Sequence, residues 1–434
     1  MKYYSTTDSQ VTVTLEQAVI QGQAPDHGLL LPEHLPVLPQ AFVRNMASMT
    51  LQEISYAVAN YALQGDVEAE VLKRIVNETF NFPIPLNHLA DNRYALELFH
   101  GPSLSFKDLG TRFLARLLQY YNSRHRRDIS VVVATSGNSG GAIAQAFIDV
   151  PDVDVYVLYP ADELDDVQRA QFAALDRPNI TALEVNGSLD DCRNIVEQTF
   201  RDPDVADRMI VNSARTVNVA RLLPQMFYYF HAAAQLIQRE QDPSQAVFAV
   251  PCGNLGNLTA GLMAKRMGLP VKRFVAACGV NDTFARYLTE GVYQPRPLVE
   301  SIAPALASPQ PSNFSRICSL YGSHAELCID VAPFSCTDEA IVHWMRDAYD
   351  TDGYVVDPQT AAAYGALRTQ LQPGEIGVAL ATAHPAKYRH TVDRVLGTRV
   401  PVPEQLSAAL SAPQQVITIG SGYNSFKKYL LSRH

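Results

Sequence analysis

Apolar runs of strand length alternate with longer helical patterns along most of this chain, and that alternation limits its fold more than any other feature. The runs cover 94–99, 130–134, 154–159, 180–185, 246–250, 273–277 and 376–381. Helical patterns at 109–121, 188–200, 219–238 and 258–267 lie between them. Strands that are continuously apolar are buried on both faces, and helices between them supply the crossovers of a parallel sheet, so the chain is expected to be α/β. With 434 residues it has room for two or three domains. The division predicted is an N-terminal domain over 1–88, a smaller α/β domain over 89–225 and a larger α/β domain over 226–434. The first of these has short helical patterns and the Pro-rich stretch 31–39. The Pro- and Ser-containing stretches 301–313 and 401–413 read as loops.

Composition narrows the class of partner. Charged residues make up 18% and hydrophobic ones 47%, and the balance of 35 basic against 44 acidic side chains gives a net charge of −9. No dense Lys/Arg tract exists, which disfavours nucleic acid and anionic membrane and suits a soluble protein handling small molecules. Six cysteines are scattered without a C-x-x-C pair, so neither a disulfide framework nor a metal site is predicted. The uncharged run 129–148 is long enough to span a bilayer but contains Thr135-Ser136-Gly137-Asn138-Ser139-Gly140-Gly141, which fits a strand, a loop and a helix start instead. Residues 1–18 are polar, with no apolar leader segment, and a cytoplasmic location is the expectation.

Four segments at predicted strand exits carry chemistry. In the first, strand 94–99 runs through His100-Gly101-Pro102-Ser103-Leu104-Ser105-Phe106 to Lys107, where a helical pattern starts. The positive end of a helix dipole disfavours an ammonium there, so a lysine runs against local preference. In the second, Gly253-Asn254-Leu255-Gly256-Asn257 leads from a strand into a helix, and two glycines let successive N–H groups converge on one anion. No Lys-Ser/Thr follows, which excludes a nucleotide P-loop. The third, Ser136-Gly137-Asn138-Ser139-Gly140, offers hydroxyls, an amide and N–H groups suited to a carboxylate. The fourth, Thr382-Ala383-His384-Pro385-Ala386-Lys387, leaves an apolar strand at the place where ligand sites form in α/β proteins. A solvent-facing lysine at 387 and a capping histidine at 384 are the structural alternatives.

In this order and spacing, the four segments resemble the threonine synthase family of the tryptophan-synthase-β-like, fold type II pyridoxal phosphate enzymes. The likeness spans the chain, from Met1-Lys2-Tyr3-Tyr4-Ser5-Thr6 and Gly28-Leu29-Leu30-Leu31-Pro32 through Leu98-Phe99-His100-Gly101-Pro102. It continues in Asn212-Ser213-Ala214, Asn218-Val219-Ala220-Arg221, Gly353-Tyr354 and Ala383-His384-Pro385-Ala386-Lys387. The resemblance implies two open, mostly parallel α/β domains plus an N-terminal domain, in a monomer or homodimer. It implies pyridoxal 5′-phosphate on Lys107 as a Schiff base, its phosphate on Gly253, Asn254, Leu255, Gly256 and Asn257, and its ring nitrogen at Thr382. Substrate binding is implied at Ser103, Ser136, Gly137, Asn138, Ser139, Gly140, Arg215, Asn218, Arg221 and Lys387. The implied reaction converts O-phospho-L-homoserine and water to L-threonine and phosphate.

Several substrate-facing positions depart from the family pattern. Asn138 and Ser139 stand for Asp and Thr, Arg215 for Asn, Cys252 for Ser, and Gln359 for His, while the loop usually reading Asn-Ala-Met-Asp is Pro304-Ala305-Leu306-Ala307. Where a Lys-Gly-Lys segment is usual, the chain has Ala161-Asp162-Glu163-Leu164-Asp165-Asp166. A phosphomonoester beside such acids would meet repulsion of roughly 2–3 kcal/mol per charge at about 6 Å and an effective dielectric near 20, and exposure to salt water would remove most of it. These acids equally suit the first turn of a solvated helix. Arg215 is a replacement cation. Three readings stay open: a threonine synthase with a reworked pocket, a paralogue (lyase, dehydratase or β/γ-replacement enzyme) on another amino acid, and a non-catalytic cofactor-binding protein.

Overall fold

The computed structural model describes residues 1–125 and 127–433. The N-terminal unit opens with an antiparallel sheet in the order β2-β1-β3, with β1 at Lys2–Ser5, β2 at Thr12–Thr14 and β3 at Leu30–Pro32. Short helices at Leu15–Gln21 and Gln40–Asn45 and two longer ones pack with it. Leu51–Leu63 is started by a capping box in which Thr50 and Glu53 satisfy each other's backbone N–H groups, and Ala69–Thr79 follows. Ile54, Val58, Ile75 and Phe80 are fully or almost fully buried, and the Phe80 ring lies 5.6 Å from that of Phe227 in the body of the protein.

Next come β4 (Leu86–His88), β5 (Arg93–Glu97), β6 (Ile129–Ala134), β7 (Val153–Pro160), β8 (Ile180–Asn186) and β9 (Ile210–Asn212). They are followed by β10 (Ala246–Pro251), β11 (Arg273–Cys278), β12 (Val331–Ser335), β13 (Ile376–Ala381) and β14 (Val416–Gly420). One sheet has the order β12-β11-β10-β13-β5-β4, parallel except for the β4–β5 pair. The other, β14-β8-β7-β6-β9, is wholly parallel. The runs Val-Val-Val in β6 and Val-Phe-Ala-Val in β10 are buried, as strands covered by helices on both faces must be.

Sheet membership differs from the sequence division in three places, the first being β4, which lies in the predicted N-terminal segment but pairs with β5 in the larger sheet. β5 pairs with β13 and so belongs to the larger sheet, not with the segments that follow it up to residue 225. β14 crosses back to pair with β8 in the smaller sheet. A strand's partners are fixed by hydrogen bonds to chain far away in sequence, which runs of apolar residues cannot announce. The expected single helix over 219–238 is also broken. Val219–Leu222 and Phe227–Gln238 flank a tighter 3-10 turn at Leu223–Met226, where Pro224 removes a backbone donor.

Arg316 ties these units together. Its fully buried guanidinium donates to the carbonyls of Leu30, Thr216 and Val217 and to Asn313 Oδ1 at 2.6–3.2 Å. With no acid paired to it among the described residues, burial pushes its pKa down to about 9.

Candidate active site

The three loops that leave β5, β10 and β13 come from adjacent strands of the larger sheet, since β13 lies between the other two. After β5, the chain turns at Leu104, which has a left-handed φ of 56°. It is then stitched to the exit of β13: His384 N donates to Leu104 O at 3.0 Å, and Phe106 N to Thr382 O at 2.9 Å. These bonds fix Lys107, first residue of the helix Lys107–His125, beside the buried Thr382. The loop after β6 belongs to the other sheet. Thr135 organises it, its Oγ1 accepting from the N–H groups of Gly137 and Gly140 at 3.1 and 3.2 Å. Thr135 thereby takes over the capping of the helix Asn138–Ala146, whose N-cap is a glycine.

A cleft of about 290 Å³ runs between the sheets, lined by Lys107, Ser136, Gly137 and Ser139 among others. Lys107 Nζ donates to Ser139 Oγ at 2.9 Å. Burial first, and then the positive charge of Arg221, pull the Lys107 ammonium down to about 8. A lysine so placed has a sizeable neutral fraction near pH 7 and can act as nucleophile or base.

Gly253–Asn257 forms a cradle. A Cβ on Gly253 would stand 2.1 Å from the carbonyl oxygen of Ala305, so only glycine fits. Leu255 is left-handed, with φ 61°, and leads into the helix Gly256–Arg266. The side chain of Asn254 is held at both ends, donating to Thr216 Oγ1 at 2.7 Å and accepting from Ser312 N at 2.5 Å. Asn313 Nδ2 donates to the Asn254 carbonyl at 2.8 Å, which connects the cradle to Arg316. The backbone N–H groups of Gly253 to Asn257 have no acceptor among the described residues. Asn257 Oδ1 accepts from the hydroxyls of Tyr228 and Tyr229, while its buried Nδ2 has no partner. Unsatisfied donors gathered at a helix N-terminus fit one phosphate group. The residues present therefore suit pyridoxal phosphate.

The other predicted residues are distributed as follows. Arg215 is exposed and lines the cleft. Gly140 is buried beneath it, and Asn138 begins the helix with a side chain that lies outside the described residues. Ser103 is buried, its hydroxyl 3.0 Å from that of Ser105. Asn218 caps its own short helix and donates to Val19 O at 3.0 Å. Arg221 donates to Ala214 O at 2.7 Å and leaves Nε unpaired. Lys387 is fully buried, not solvent-facing, and donates to Ser103 O and Gln171 Oε1 at 2.5 Å each. Burial pulls it down to about 7, against the attraction of Asp108. His384 does cap, its Nδ1 accepting from Ala386 N at 3.1 Å.

None of the described residues of the acidic segment 161–166 lines the cleft, although Glu163 accepts from the N–H of the cleft residue Leu189 at 3.4 Å. Asp165 caps the helix Asp166–Ala173, and Asp166 pairs with Arg389 at 2.5 Å and His390 at 3.3 Å. From this region the cleft receives Gln168. It also receives Arg193, Glu197 and Tyr388, which sequence reasoning missed. The spacing of Leu189, Arg193, Val196 and Glu197, one face of a helix, was the available signal.

Fold and cleft together define a pyridoxal-phosphate-dependent enzyme of fold type II. Residues 83–382 match the family described as pyridoxal-phosphate dependent enzyme, 2–80 the threonine synthase N terminus and 360–430 the threonine synthase C-terminal family. The chain is 37% identical to a threonine synthase of Serratia marcescens over 99% of each chain. It is similar to the crystal structure of threonine synthase from Escherichia coli, with a TM-score of 0.91 and 35% identity over 100% of both chains. Against the pyridoxal-phosphate-bound threonine synthase from Brucella melitensis the TM-score is 0.94, at 29% identity over 99% and 98% of the two chains. The chain belongs to the threonine synthase family.

Proposed function

We propose that the cleft at Lys107 carries out the threonine synthase reaction, converting O-phospho-L-homoserine and water to L-threonine and phosphate. The observation that carries this reading is the lysine amine, held by Ser139 Oγ at 2.9 Å in a cleft between two sheets. Lys107 would link to the cofactor covalently through that amine, with the cofactor phosphate on Gly253–Asn257 and its ring nitrogen toward Thr382. When bound, the cofactor supplies an electron sink for the pair left on carbon when a proton departs.

The chain's own residues do the rest. Ser136, Gly137 and Ser139, at the mouth of the helix Asn138–Ala146, receive the α-carboxylate, where the helix dipole favours a negative charge. Once released, the Lys107 amine would take one proton from Cα and one from Cβ; phosphate would leave Cγ with the C–O electron pair, a proton would be delivered to Cγ to make the methyl group, and after water places its hydroxyl on Cβ a proton would return to Cα. Its lowered pKa keeps it able to hold or give a proton near neutrality. Ser139 Oγ keeps Nζ aimed at the substrate between transfers. Ser103 and Lys387 act one layer behind, fixing the loop that carries Lys107. Asp166 is paired with Arg389 and His390, and none of the described residues 161–166 lines the cleft that would hold the phosphomonoester. All six cysteines are free thiols, which suits the cytoplasm.

Lys107→Ala tests the reading. It should remove both the visible absorbance of the lysine-linked cofactor and all turnover. A variant that keeps either contradicts the role given to this lysine.

A further inference from the structure

The helix Leu189–Arg201 presents Leu189, Arg193, Val196 and Glu197 to the cleft, and the turn after β9 presents Arg215. Arg215 makes no ion pair, and its guanidinium has no acceptor, among the described residues. The positive charge of Arg193 repels it and the carboxylate of Glu197 attracts it. Among the described residues Arg193 is held only by Asp190, at 2.8 Å, a pair exposed enough to exchange readily for another anion. The charged groups lining the cleft are thus three cations, Lys107, Arg193 and Arg215, and one acid, Glu197. Two neighbouring guanidinium groups in one cleft repel each other until an anion of higher charge than one carboxylate lies between them.

We propose that Arg215 and Arg193 together form the subsite for the substrate's phosphomonoester, with Glu197 competing for Arg215 when the subsite is empty. The phosphate is thereby bound from the helix Leu189–Arg201 and the turn after β9, and not from the segment 161–166 after β7. Guanidinium forks match phosphate oxygens two at a time, and Arg193 exchanges Asp190 for one such contact. After Cγ–O cleavage the same pair holds inorganic phosphate, which makes that product a ligand of the resting enzyme. This inference rests on the reading that the cleft acts on a phosphorylated amino acid.

The test uses the holoenzyme, titrated with inorganic phosphate by calorimetry and assayed with O-phospho-L-homoserine. Arg215→Ala and Arg193→Ala should each weaken phosphate binding and raise KM by about ten- to hundredfold, the loss of a charge-assisted hydrogen bond. The kcat should change far less, and binding of the phosphate-free L-2-aminobutyrate should stay at the wild-type level. Glu197→Gln should tighten inorganic phosphate roughly two- to fivefold, a gain that a damaged fold cannot imitate. Wild-type phosphate affinity and KM in both arginine variants, or weaker phosphate binding in Glu197→Gln, would overturn the proposal. If wild-type enzyme binds phosphate through these arginines yet leaves O-phospho-L-homoserine untouched, the subsite stands and the reaction assigned to the cleft fails.

Discussion

Lys107 Nζ and Ser139 Oγ are 2.9 Å apart, and that hydrogen bond joins the two halves of the site. Lys107 hangs from the loop after β5, in the larger sheet; Ser139 stands at the helix start after β6, in the smaller. Lys107 and the loop proposed to bind the substrate carboxylate are held in register by this contact across the cleft.

Ser139→Ala removes the acceptor without adding bulk. A hydrogen bond to a charged group contributes about 1.5–3 kcal/mol, so kcat should fall by roughly ten- to hundredfold. Cofactor absorbance should persist, since the phosphate cradle is untouched. Steady-state kinetics with a parallel spectrum checks both halves of this statement.

In cofactor-free enzyme, Lys107 should capture pyridoxal phosphate faster as pH rises. Only the neutral amine attacks a carbonyl, and burial together with Arg221 places its pKa at about 8. Below that value the neutral fraction grows about tenfold per pH unit, and above it the rate should level off. An unperturbed lysine, with a pKa of about 10.4, would show a rate still climbing at pH 9. Stopped-flow absorbance across pH 6 to 9.5 distinguishes the two curves.

At the cradle, Gly253→Ala should cost cofactor affinity. The new methyl group would stand 2.1 Å from Ala305 O, so the loop or the 304–306 turn must shift. Overpacking of this kind costs about 1–3 kcal/mol, and a displaced set of N–H donors should weaken cofactor retention by roughly tenfold or more. Equilibrium dialysis measures that loss directly.

By contrast, Asp166→Asn should be nearly silent in catalysis. Asp166 is half-exposed and pairs with Arg389 and His390 away from the cleft, so its removal should cost at most about 1 kcal/mol of stability. KM for O-phospho-L-homoserine should stay within about twofold of wild type. A fall in KM of tenfold would mean that the acidic segment does repel substrate.

Strands were legible where an apolar run ends abruptly in polar, Gly, Ser or Pro residues: β6, β7, β10, β11 and β13 fall within a residue or so of the runs read from sequence. β9, β12 and β14 were not: β9 is three residues long, β12 is interrupted by Pro333, and β14, though apolar, is largely exposed. Lys107 stood out by violating helix-start preference, and Gly253 by a doubled glycine. Arg193 and Glu197 could not be picked out, because an amphipathic helix shows its face but not what that face meets. Lys387 could not be placed either, since a buried lysine needs acceptors such as Ser103 O and Gln171 Oε1 from distant parts of the chain.

The most direct measurement is the stoichiometry of products when purified holoenzyme is given O-phospho-L-homoserine. The account predicts one L-threonine for each phosphate released, in wild-type enzyme and not in Lys107→Ala. Cofactor bound at Lys107 with no phosphate released, or phosphate released without threonine, would contradict it.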